Sequence, residues 1–243
     1  MRKDREINRN IRLLYLVLSK SSMFLHGAFC YLSKDVLTIC TIGKVNMKYA
    51  KKINYIAKIA ILSALAFVLM LFEMPLAFIA PPFYEMDFSD VIALIGSFAL
   101  GPVAGVFIEL LKNLLNILFT GSSTAYVGEL ANFITGCAFV LPAAIVYKYN
   151  RTRKFALIGL IASALSLAAV GALMNYFVMV PLYAKLYMPM ETILGMAASI
   201  FPSIDTLWEM ILLCVVPFNL IKGALCGVIT FVLYKKLAVL LKK

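Results

Sequence analysis

The chain has 243 residues, 63% of them hydrophobic against 14% charged, with a mean hydropathy of +0.94. Too little polar surface remains to cover a soluble globule, so the composition predicts an integral membrane protein. The formal net charge of +11 does not mark a nucleic-acid binder, because Lys and Arg gather at the ends of apolar runs and read as topology signals.

The first 46 residues differ from the rest. They open charged, and their modestly apolar stretch from Met23 to Tyr31 is cut off by Lys34 and Asp35. That stretch is too short and broken to span a bilayer, and no small-residue cleavage site follows cleanly. Met47 then opens Met-Lys-Tyr-Ala-Lys-Lys, a conventional beginning for a membrane protein. Residues 1–46 are therefore expected to be a poorly ordered, dispensable extension or an over-extended translation start, and 47–243 the membrane domain.

Long apolar runs without a period of two favour spanning helices over a barrel. Six spans are predicted: Ile53 to Phe72, Phe88 to Leu100, Pro102 to Phe119, Tyr126 to Tyr149, Phe155 to Tyr183 and Leu207 to Tyr234. The fold class is an all-α six-helix bundle. The second span is too short to cross alone at about 1.5 Å per residue, so it must tilt against its neighbours or be a broken helix, with Gly101-Pro102 as the break.

Charge predicts orientation. Lys48, Lys51, Lys52 and Lys58 precede or open the first span, Lys148, Arg151, Arg153 and Lys154 lie between the fourth and fifth, and Lys235, Lys236, Lys242 and Lys243 follow the sixth. Six crossings put all three clusters on the cytoplasmic side with both termini, and leave Glu73, Glu85, Asp87, Asp90, Glu191, Asp205 and Glu209 facing outward.

Within the spans a few polar groups stand out. On span one, Ala60 and Ala64 make a small-x-x-x-small pair that lets another helix approach, either from the same bundle or from a partner. In the first outer loop, prolines 81 and 82, aromatics Phe83 and Tyr84, and carboxylates Glu85 and Asp87 precede span two. There Asp87 is a candidate N-cap, Asp90 suits the positive helix end, and Phe83, Tyr84 and Phe88 could be interface aromatics. Glu109 and Lys112 are i, i+3 partners that can neutralise one another, with Glu129 as a second acceptor for Lys112; span three, with Asn113 and Asn116, could instead border a cavity. Asn175 in span five and Asn219 with Lys222 in span six lie at similar depths, and Asn219 and Lys222 share a helix face. An ammonium inside a bilayer costs about 2.5 to 3.5 kcal/mol on insertion scales, so Lys222 needs a partner or a wet cavity. Two amides and an ammonium suit a neutral ligand with several hydrogen-bonding groups; the alternative is interhelical glue.

Enzyme signatures are missing from the sequence. The sole histidine, His26, is in the leader, no H-E-x-x-H or G-x-x-x-x-G-K-[ST] occurs, and Glu109, Lys112 and Glu129 lack a plausible nucleophile and base. Five cysteines without a C-x-x-C pair read as packing residues. No internal repeat suggests a stand-alone secondary carrier. No cofactor is implied.

The segments Met86-Asp87-Phe-Ser-Asp90, Gly101-Pro-Val-Ala-Gly105, Lys112-Asn-Leu-Leu-Asn116, Ala131-Asn-Phe133, Asn175-Tyr-Phe177 and Pro217-Phe-Asn219-Leu-Ile-Lys222-Gly223, in this order, resemble the riboflavin-specific substrate-binding (S) components of energy-coupling factor (ECF) transporters. The likeness covers Met47 to Lys243. The leader does not match, and Ala184 to Thr206 is longer than the family pattern. The resemblance implies a multi-pass cell-membrane subunit that captures riboflavin from outside and docks on a transmembrane coupling subunit driven by two ATPases. It also implies that Asn175, Asn219 and Lys222 bind the vitamin, that Asp87 and Glu85 line or close the pocket with Phe83 and Tyr84 in the same loop, and that Ala60 and Ala64 dock on the coupling subunit. An S component for another vitamin would share the scaffold.

Overall fold

The computed structural model describes residues 47–122 and 126–242, and the expected extension 1–46 lies outside them. Two compact units divide the chain, Met1–Asn54 and Tyr55–Lys243. The second contains every side chain of the cores and of the cavity, and the first contributes residues 47–54, the opening of a helix.

Helices dominate the described residues. In chain order they are α1 (Met47–Met70), α2 (Ser89–Leu100), α3 (Pro102–Thr120), α4 (Val127–Tyr149), α5 (Arg153–Met174), α6 (Val180–Leu186), α7 (Met190–Ala198), α8 (Leu207–Met210) and α9 (Val216–Lys242). A π-helical turn, Asn175–Met179, joins α5 to α6, and another, Ile211–Val215, joins α8 to α9. Continuous helix therefore runs over Arg153–Leu186 and again from Leu207, and with α1, α3 and α4 these make five helices long and apolar enough to cross a membrane. The described residues depart from an all-α reading only in a two-residue antiparallel ladder, β1 (Met74–Pro75) with β2 (Glu85–Met86), which closes the loop between α1 and α2.

The short helix has a physical explanation. At about 1.5 Å per residue its 12 residues reach only about 18 Å. It need not face lipid along its length, because every residue from Ser89 to Phe98 is buried among the other helices. Its end is set by Gly101, whose φ of +106° and ψ of 169° lie where only glycine sits without strain; Pro102 then opens α3. Around α2 a core forms from Ile59, Leu62 and Ala66 of α1, Ala104 and Ile108 of α3, Phe139 and Val140 of α4, Leu160 and Leu167 of α5, and Cys226 and Tyr234 of α9.

A second core stands at the loop end of the bundle. Ala80 and Met86 of the α1–α2 loop pack with Val180, with Ile193 and Ala197 of α7, and with Met210 to Phe218. The segment between α6 and α8 therefore folds back as a helix against the first loop.

On α1 the buried stripe is Ile59, Leu62, Ser63, Ala66 and Met70, and Ser63 Oγ donates to Ile59 O at 2.8 Å. Ala57, Ala60 and Ala64 lie on the other side and are exposed. Spacing alone left the direction of this small-residue face open; in the structure it points away from the chain's own core.

Candidate ligand-binding site

Where the two cores meet, the bundle forms a partly open cavity of about 320 Å³, within the size range of small-molecule sites, about 300–1,000 Å³. Its walls come from the first loop (Glu73, Phe83, Tyr84, Glu85), α3 and α4 (Asn116, Glu129, Asn132, Thr135), the π turn after α5 (Asn175) and α9 (Phe218, Asn219, Lys222).

Both asparagines are oriented by the helices that carry them. Asn175 begins one π turn and donates from Nδ2 to Gly171 O at 2.8 Å, while its Oδ1 accepts the Tyr84 hydroxyl at 2.8 Å. Asn219 comes just after the other π turn and donates from Nδ2 to Val215 O, the last residue of that turn, at 2.9 Å. A π turn admits one extra residue per turn and rotates the helix beyond it, a common device at functional sites. Gly171 lets the two helices approach here: a Cβ on it would lie 2.7 Å from Asn219 Nδ2.

Aromatic rings cover the same space. Phe83 and Tyr84 have centroids 4.7 Å apart, Phe83 stacks on Tyr183 at 6.0 Å, and Tyr84 meets Phe218 at 5.8 Å. Both loop aromatics are half-buried and line the cavity.

Lys222 lies on the wall with its ammonium 3.0 Å from Asp87 Oδ2 and 3.2 Å from Asp90 Oδ2. Asp87 and Asp90 are 3% and 1% exposed, turned into the bundle, and Asp87 is held by a partner far along the chain. Asp87 is absent from the cavity wall and stands behind Lys222. Nor is it the N-cap of α2: that position is Phe88, and the Asp87 Oδ1 atom accepts from Ser89 N at 2.8 Å and from the Ser89 hydroxyl. Burial works to raise the Asp87 carboxyl, yet the ammonium groups of Lys222 and Lys112 and the Ser89 hydrogen bond override it and hold it well below the usual carboxylate range.

The charges of α3 join the same network. Lys112 is fully buried, pairs with Asp90 Oδ1, donates to Ser89 Oγ at 2.8 Å and lies 2.8 Å from Glu109 Oε2. The i, i+3 pairing with Glu109 thus forms, and Asp90 rather than Glu129 is the second carboxylate. At the mouth, burial, a hydrogen bond with Glu85 and repulsion from Asp87 and Glu85 push the Glu73 carboxyl up to about 7, against a lowering pull from Lys222.

Six of the seven residues expected at the pocket, Phe83, Tyr84, Glu85, Asn175, Asn219 and Lys222, line this one cavity, and Asn116 of span three and Glu129 of span four line it too; Asp87 supports it from behind, and Ala60 and Ala64 are elsewhere, on α1. Tyr183, Phe218, Thr135 and Gly171 were not singled out. Phe218 and Gly171 had a local signal, the first adjoining Asn219 and the second one turn before Asn175.

A cavity with polar walls and an aromatic cover, inside a bundle of apolar helices, defines a multi-pass membrane protein that binds a small molecule within its transmembrane helices. The chain belongs to the substrate-specific components of ECF transporters, whose family model matches residues 54–234. It is 38% identical over 200 residues to the riboflavin transporter RibU of Staphylococcus aureus (strain TCH60), a match covering 82% of this chain and 97% of the relative. It is also similar to the riboflavin transporter FmnP of Bacillus subtilis (strain 168), 31% identical over 188 residues and covering 76% and 93%. Among solved structures, the S component of a bacterial ECF transporter aligns with a TM-score of 0.61 at 37% identity, covering 79% of this chain and 99% of that one. The family is one of transport components, not enzymes, and the chain is a multi-pass protein of the cell membrane.

Proposed function

We propose that this chain captures riboflavin outside the cell and delivers it through a complex with a transmembrane coupling subunit and two ATPase subunits. The observation that carries this reading is the convergence of Asn175, Asn219 and Lys222 with Phe83, Tyr84, Tyr183 and Phe218 on one cavity. Riboflavin is a flat apolar ring system with lactam-like donors and acceptors on one edge and a polyhydroxyl tail. Aromatic side chains cover such a ring, and amides with an ammonium satisfy its edge. The relatives named as riboflavin transporters support the same ligand.

In this reading residues 47–243 do the work. The helices make six crossings, with α2 as the short second one; both termini are cytoplasmic and the cavity opens outward beneath the first loop. Asn175, Asn219 and Lys222 hold the polar edge of the vitamin, Phe83, Tyr84 and Glu85 close over it, and Asp87 acts through Lys222. The exposed face carrying Ala60 and Ala64 admits a helix of the coupling subunit at close range.

The test is the absorbance spectrum of the detergent-purified protein, followed by titration with riboflavin. Yellow protein with flavin absorbance, or quenching of riboflavin fluorescence on mixing, is the expected result. A colourless protein that leaves added riboflavin fluorescence unchanged overturns the proposal.

A further inference from the structure

Lys112 does not line the cavity, yet it pairs with Asp90, one of the two carboxylates that fix Lys222, and reaches the other, Asp87, through the Ser89 hydroxyl. The four carboxylate oxygens that bracket Lys222 are all engaged. Asp87 Oδ1 accepts from Ser89 and its Oδ2 from Lys222; Asp90 Oδ1 pairs with Lys112 and its Oδ2 with Lys222. The Ser89 hydroxyl closes the ring by donating to Asp87 while accepting from Lys112 at 2.8 Å. An ammonium has three donors; Lys222 donates one to Asp87, lies in an ion pair with Asp90, and keeps donor capacity for the cavity. Every member of this ring is buried, where water does not screen one partner from the next.

We propose that Asp90 and Lys112 are positioning residues for ligand binding. They act through Lys222, aiming its remaining donor capacity at a neutral acceptor of the ligand, and touch no ligand atom themselves. With two carboxylates against the ammonium, this corner of the cavity offers a directed hydrogen bond rather than an anion site. The ligand group that meets Lys222 is therefore a carbonyl or hydroxyl oxygen, not a phosphate or carboxylate. Lys112 holds Asp90 in place by taking its other oxygen; without Lys112, Asp90 turns both oxygens toward Lys222 and draws the ammonium off the cavity wall.

The proposal rests on riboflavin as ligand, and its test is a binding cycle in the detergent-purified full chain. Riboflavin affinity is measured by fluorescence quenching for the wild type and for Asp90→Asn, Lys112→Met and Lys222→Met, singly and with each of the first two combined with the third. The expected result is a loss of about tenfold for Asp90→Asn and for Lys112→Met, and no further loss when either is added to Lys222→Met. Lys112→Arg, which keeps the charge and the reach to Asp90, restores affinity to within about threefold of wild type. Full additivity of the losses means a merely structural role and overturns the positioning proposal while leaving riboflavin capture intact. A wild type that binds no riboflavin overturns both. If a charge variant does not fold, Ser89→Ala asks the same question without altering charge: it should weaken binding by about threefold in the Lys222 protein and not at all in Lys222→Met, and equal losses in both overturn the proposal.

Discussion

Asn219 carries an amide deep in an apolar helix, and what positions it is another residue's missing side chain. A methyl group on Gly171 would sit 2.7 Å from the Asn219 amide nitrogen. Gly171→Ala must therefore swing that side chain aside, while the added methyl improves helix propensity by about 1 kcal/mol. We expect thermal stability to be unchanged or raised and riboflavin affinity to fall about tenfold, matching Asn219→Ala, since each loses a hydrogen bond worth about 1 to 3 kcal/mol in a dry site; equal affinity in Gly171→Ala and wild type would show that Asn219 does not bind through this geometry. Glu73 gives a second prediction. Its ordinary value of 4.5 is raised to about 7, so the folded loop holds a proton that the unfolded chain has released. The stability it contributes is full below 4.5 and disappears as pH rises through about 7, where Glu73 ionises beside Glu85. Melting temperature should thus fall from pH 5 to pH 8 more steeply in the wild type than in Glu73→Gln, and parallel curves would contradict this. At this scale the polar cavity residues were legible because an amide or ammonium in an apolar run is costly and rare. The pairing of Asp87 was not: its partner Lys222 lies 135 residues away, and its sequence neighbourhood reads as an exposed loop. With 17 Phe and 12 Tyr in the chain, nothing local distinguished Phe218 or Tyr183 from packing aromatics.

The helix α1 separates packing from an unused surface. Ile59, Leu62, Ala66 and Met70 face the core at helical spacing, while Ala57, Ala60 and Ala64 share the exposed side. Small side chains there allow a neighbouring backbone to come close, and an indole would hold it off. Ala60→Trp and Ala64→Trp should therefore keep the wild-type riboflavin titration and abolish uptake by cells; loss of binding would mean that this face serves the cavity instead. The hydropathy pattern marked every long helix to within a few residues at its apolar core, because burial and lipid exposure both demand apolar side chains. It missed the helical extensions into Lys-rich ends, at Met47 and Lys242, since backbone hydrogen bonding continues where hydropathy stops. The π turns before Val180 and before Val216 were equally silent in sequence. An inserted residue leaves composition unchanged and is seen only in the backbone, although both turns fall beside the two asparagines the sequence had singled out.

Across the whole molecule, the proposed function separates binding from energy supply. The chain has a ligand-sized cavity and belongs to the substrate-specific components of ECF transporters, and in the proposed function the partner ATPases drive the gradient of riboflavin. A site reached from only one side can release its ligand on the other only through a second conformation, and a ligand shifts that equilibrium by no more than its differential affinity for the two states. Riboflavin alone, at equal concentrations across a membrane, supplies no such bias. In the proposed function the coupling subunit, driven by its ATPases, supplies it through the exposed alanine face of α1. The purified chain in liposomes should therefore bind riboflavin yet accumulate none above the outside concentration, with or without ATP. Addition of the coupling subunit and its two ATPases should produce ATP-dependent accumulation, and Ala64→Trp should remove it without altering binding. Uphill uptake by the isolated chain would contradict the division of labour, and ATP-dependent accumulation that survives Ala64→Trp would place the docking surface somewhere other than α1.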